Sequence, residues 1–148
     1  MKVYIGNYPK HRWYHNYLYK WFGYTADQKK YIRIDKWDSW SADYTLAEII
    51  LPVLVQLKEA QHGAPYVDPR DVPVFLRPSG IDESTNVDNT HFERWDWVFN
   101  EILYAFDCKV NKEEPYVRID DVVQARAEHE RITNGFKLFG KYYENLWD

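Results

Sequence analysis

The densest group of residues able to do chemistry is RIDKWDSWSAD, residues 33–43, which sets Asp35, Asp38 and Asp43 among Trp37 and Trp40, beside Arg33. Clustered carboxylates can work as a general acid and base or hold a metal, and indole rings can stack on a flat ligand. The spacing does not fit a calcium loop, which needs acids at alternate positions and glycine at the sixth. Two of the acids have evident structural duties. Asp35 ends a strand and caps the turn, and Asp43 falls in the first turn of a helix whose N-cap is Ser41, where its charge suits the helix dipole. Asp38, between the two tryptophans, is the least explained.

A second group is NTHFERWDW, residues 89–97. Thr90 as N-cap puts Glu93 at the capping-box position. His91 and Arg94 then sit near the positive end of a helix, a natural place for an anion. The expected ligand-binding set is Arg33, Trp37, Asp38, Trp40, His91, Arg94 and Trp95, with Arg118 as a further cation for phosphate. His11 and His15 are four apart and can share a helix face, but HRWYH lacks an evident third ligand, so no metal site is assigned. His129 reads as a buried, satisfied histidine and Cys108 as core. No phosphate-binding glycine loop, nucleophile elbow, dinucleotide fingerprint or zinc ribbon occurs, so no catalytic residue and no cofactor is assigned.

The elements that must position these residues are legible from periodicity. Strands are expected over 2–5, 31–34 and 116–119, the last two carrying the near-repeat YIRID and YVRID. Helices are expected over 10–22, 41–60 and 91–107, and after Asp120. The second should bury Leu46, Ile49, Ile50, Val53, Leu54 and Leu57 and kink at Pro52. The third should carry Phe92, Trp95, Phe99, Ile102, Leu103 and Phe106 on one face, with Trp97 and Tyr104 on another. The last holds a stripe of about 25 residues from Val122 to Leu146, with Gly135 and Gly140 permitting close helix contact. Residues 63–90 lack periodicity and are rich in proline, an irregular connection. The expected fold is α+β: one domain over 1–148, three or four helices packed with a small two- to three-stranded sheet.

Composition narrows the function. The chain has 148 residues, a net charge of −4 and 18% aromatic residues. That length can bury a core. With no basic stripe, duplex nucleic acid is not an expected partner. One cysteine excludes a disulfide scaffold within the chain. The N-terminus lacks the apolar core of a signal peptide, and the longest apolar run, residues 49–55, is too short to span a bilayer. No membrane partner is expected.

Four blocks together resemble a family of uncharacterised small proteins encoded by tailed bacteriophages. They are KVYIG (2–6), RIDKWDSWSADYTLAEIILPVLVQLKEAQHG (33–63), HFERWDWVFNEILYAF (91–106) and ERITNGFKLFGKYYENLWD (130–148). Members of that family often carry longer segments after the first block and after the third. The resemblance implies a phage origin and a host bacterial cytoplasm, and brings no activity with it. The leading expectation is a non-enzymatic binding protein and homo-oligomer that sequesters a nucleotide-like small molecule used in host defence signalling. The alternatives are a metal-assisted hydrolase using Asp38, Asp96 and a histidine, and a structural or host-takeover protein-interaction module.

Overall fold

A computed structural model describes residues 1–78, 81–82, 87–111 and 122–147. The fold is α+β, with four α-helices and small antiparallel sheets among the described residues. The chain divides into two compact units, Met1–Thr45 and Leu46–Asp148.

In the first unit, β1 (Lys2–Ile5) pairs antiparallel with β2 (Lys30–Arg33). Between them lies α1 (His15–Phe22), shorter than the helix expected over 10–22. Gly23 ends it at φ 63°, a left-handed conformation that favours glycine, and its N–H caps the Tyr19 carbonyl at 2.9 Å. The ribbon is closed by Gly6, whose N–H donates to Lys29 O at 2.9 Å, while Gln28 donates to Gly6 O at 2.7 Å. The third strand expected over 116–119 lies outside the described residues.

α2 (Ala42–Ala60) starts at the end of the first unit and continues into the second, with Pro52 inside it. Its buried stripe is Ala47 and Leu54, flanked by partly buried Ile50, Leu51 and Leu57. Leu46 and Val53, expected on that face, are exposed. A stripe read along the chain has a helical period but an arbitrary phase, and packing selected the side carrying Ala47.

The second unit is built on α3 (His91–Asn111) and α4 (Val122–Lys141). Trp95, Val98, Phe99, Ile102 and Phe106 of α3 are buried, whereas Phe92 is exposed. Trp97 and Leu103 also pack against the core, so α3 is covered on more than one side, as its pattern implied. The Phe106 ring meets Phe136 and Phe139 edge-on at 5.1 and 4.9 Å, near the preferred geometry of aromatic pairs. Buried Glu101 receives two hydrogen bonds from Arg131, at 2.8 and 2.6 Å, and Arg131 lies 3.8 Å over the Tyr104 ring. His129, expected to be buried, is exposed. A stripe spaced by 3.5 drifts around a helix that turns every 3.6 residues, so its N-terminal members rotate out of contact.

The segment after α2 is ordered by burial. Val67 and Val72 enter the core, and two 3-10 turns, Pro69–Asp71 and Val74–Leu76, bend the chain between prolines. Tyr142 holds this segment, its hydroxyl donating to Asp71 at 2.6 Å and accepting from the Asp68 N–H at 3.0 Å. Lys141 pairs with Asp71 at 2.5 Å. A short hairpin, β3 (Ile81–Asp82) with β4 (Val87–Asp88), was not anticipated.

The two α4 glycines differ. A Cβ on Gly135 would lie 2.5 Å from Glu101 O and 2.6 Å from Ala105 Cβ, whereas one on Gly140 would meet nothing within 4 Å. Gly135→Ala should therefore destabilise the protein by about 1–3 kcal/mol through overpacking. Gly140→Ala should add roughly 0.5–1 kcal/mol through helix propensity. Denaturant midpoints of the two variants should move in opposite directions.

Candidate functional site

The residues singled out in the sequence fall into both units. In the first, the turn after β2 consumes its acids locally. Asp35 Oδ1 accepts from the Trp37 N–H at 3.0 Å. Asp38 Oδ2 accepts from the Asp35 N–H at 2.9 Å and from the Met1 amine at 2.8 Å. The amine and that N–H hold the Asp38 carboxyl below its usual range. Ser41 occupies the N-cap position of α2, its carbonyl accepting from the Thr45 N–H at 3.0 Å. Trp37 and Trp40 are 68% and 85% exposed, so they are neither core nor the wall of an enclosed cavity. Arg33 is exposed on β2.

In the second unit, Arg94 is fully buried and grips the Asp88 carboxylate with both terminal nitrogens, at 2.5 and 2.7 Å. Asp88 also accepts from the Thr90 N–H, at 3.2 Å. The anion expected at this helix end is thus supplied by the chain itself. Thr90 Oγ1 bonds Asp88 and Arg94 instead of completing a capping box with Glu93. His91 Nε2 lies 2.9 Å from Ala64 O, and since a carbonyl only accepts, that nitrogen carries its proton. Trp95 packs edge-on against Phe99 and Tyr142.

Two of the open clefts lined by described residues bear on these side chains. One, of about 430 Å³, lies beside Lys58, His62, Phe92, Glu93, Trp95 and Asp96. Its Lys58 already pairs with Asp96, and the Glu93 carboxylate opposes a phosphate. The other, of about 470 Å³, lies beside His11, His15, Tyr19, Tyr24 and Asp27 in the first unit. There the Arg12 N–H donates to His15 Nδ1 at 3.0 Å. That bond leaves the proton of a neutral His15 on Nε2, so its second nitrogen offers no lone pair to a metal. Among the described residues no three His, Cys, Asp or Glu side chains converge as a metal ion would need. The Tyr142 hydroxyl beside Asp71 does not make a nucleophile: burial, then the bond to Asp71, pushes its pKa well up, so it stays protonated.

The feature that motif reading passed over is the first unit as a whole. Every aromatic residue in it is exposed, and its one buried residue is Gly6. Residues 1–45 carry eight Lys or Arg against four Asp, a net +4, whereas residues 46–148 carry 11 against 19, a net −8. The chain total of −4 averages two units of opposite sign. All eight basic side chains of the first unit are exposed.

No known family model, curated protein or solved structure matches this chain. Among the described residues no helix is long and apolar enough to cross a membrane.

The buried ion pair sets a stability test. Arg94 holds the Asp88 pKa at about 2, below its ordinary 3.8. A depressed carboxylate pKa contributes stability above pH 4, and that contribution is lost as pH falls through 2. Asp88→Asn leaves a buried guanidinium without its counter-charge and should cost roughly 3 kcal/mol at neutral pH. The variant should also lose less stability than the wild type between pH 4 and pH 2, as read by urea unfolding.

Proposed function

We propose that this chain is a non-enzymatic binding protein that uses its aromatic N-terminal unit as a docking surface. In keeping with the resemblance of its motifs, it is phage-encoded and works in the host bacterial cytoplasm. One observation carries the reading: within residues 1–45 every aromatic ring is exposed and no ring is spent on a core. Contiguous apolar exposure beyond a few hundred Å² generally marks an interaction surface, and a two-stranded ribbon alone is marginally stable. Tyr and Trp supply most of these rings, the aromatics suited to a wet interface because each keeps a polar edge.

The competing enzymatic reading gains nothing from the geometry. Asp38 is engaged by the Met1 amine and Asp96 by Lys58. The cleft beside Trp95 sets two carboxylates against a single committed lysine, which disfavours an anionic nucleotide there.

The test compares two baits in bacterial lysate, the native chain and one with Trp13, Trp21, Trp37 and Trp40 all changed to Ser. These indoles are exposed, so the variant should match the native chain in far-ultraviolet circular dichroism. Material retained by the native bait should be lost from the variant. Equal retention by both would end the docking reading.

A further inference from the structure

On the reading that the first unit is a docking surface, we infer that its partner is single-stranded nucleic acid, held on one face of the β1–β2 ribbon. The register decides which side chains share that face. Lys2 pairs with Arg33 and Tyr4 with Tyr31. Residues two apart on a strand point the same way, so these four form a patch with two cations at one end and two phenol rings about 7 Å along it. All four side chains are exposed.

This patch is costly without an anion. Like charges directly opposite one another in an antiparallel pair destabilise it. Of the acids that follow this end of the ribbon, Asp38 is already bound by the Met1 amine and the Asp35 N–H, and Asp35 accepts from the Trp37 N–H. Among the described residues none of the eight basic side chains in this unit forms an ion pair, and Lys36 lies 5.1 Å over the Trp37 ring. In the second unit, by contrast, Lys58, Arg70, Arg94, Arg126, Arg131 and Lys141 are all paired. A phosphate between Lys2 and Arg33 removes their repulsion, and a base can stack on Tyr31 or on Tyr4, whose rings stay more than half exposed although Tyr4 leans against Gly6. Alternating phosphate and base is the chemistry of a nucleic acid strand, and rings with cations on an open surface are how such strands are held without sequence preference.

Three partners are separated by the same observations. A mononucleotide needs a concave site that encloses most of it, whereas these rings lie open and a polymer gains affinity by repeating weak contacts. A duplex hides its base faces, which leaves the phenols unused. A second copy docked symmetrically brings its own N-terminal unit, net +4, against this face, which the charge opposes, and a copy docked through its acidic unit, net −8, is told apart by the sedimentation measurement below.

The experiment titrates the full chain into a labelled oligothymidylate and oligouridylate of roughly 20 nucleotides, followed by anisotropy and tyrosine–tryptophan fluorescence. Binding should weaken linearly on a log–log salt plot, with a slope of about 0.7 per phosphate engaged. Tyr4→Ala with Tyr31→Ala should weaken binding about tenfold or more. Lys2→Glu with Arg33→Glu should weaken it and flatten the salt slope, while Arg77→Glu in the second unit should change neither. Circular dichroism must show that each variant keeps the native helix content. No binding at low salt, or binding unchanged by both ribbon variants, overturns the inference. So does tighter binding of thymidine monophosphate or of a duplex. Self-association abolished by the ribbon variants, seen in sedimentation without oligonucleotide binding, also overturns it and leaves the docking reading standing. That reading fails separately, through equal retention in the lysate comparison.

Discussion

At Gly135 the backbone of α4 approaches the Glu101 carbonyl and the Ala105 methyl of α3 with no room for a side chain. The packing of the larger unit depends on that approach. It brings Phe136 and Phe139 onto Phe106, and Arg131 onto Glu101, so the apolar and charged contacts share one axial register. It also carries Tyr142 to where its hydroxyl can clasp Asp68 and Asp71. A glycine at the crossing loses helix propensity, and the burial around it offsets that loss. Gly140, five residues on, faces nothing and has no such return.

The two units handle polar and aromatic groups in opposite ways. In the second, buried charge is matched: Arg94 is enclosed by Asp88 and Thr90, and Glu101 by Arg131. Rings there meet edge to face within a core. In the first, the rings and cations stay exposed, and the shape is held by backbone bonds, small caps, the Met1–Asp38 ion pair and a few ring contacts at the surface. A core consumes side chains in making the fold. A unit without one leaves them exposed.

The sequence was most legible where a residue's local chemistry decides its conformation. β1 falls at residues 2–5 as expected, Gly23 stops α1, and α2 and α3 begin within a residue of their expected starts. The structural duty of Asp35 was likewise readable, because an Asp after a strand bonds its own backbone two residues on. Phase was less legible. Leu46, Val53, Phe92 and His129 sit on the right periodicity and the wrong side, since a helical stripe is wide and its neighbours choose which part to cover. The role of Asp88 was invisible because it lies six residues before Arg94 and across a turn from it.

What the sequence determined by itself is the α+β class, the positions of the main helices and the first strand, and the supply of rings and charges. These follow from periodicity, capping residues and composition, each a property of neighbours along the chain. Only the tertiary structure decided which of those rings are core and which are surface. Trp95 and Trp37 have similar surroundings in sequence, an acid next to each or one residue away, yet one is buried and the other is exposed. It also showed that a net charge of −4 divides into a basic unit and an acidic one. That boundary falls inside α2, where no loop marks it, because compactness is set by contacts between residues far apart in the chain.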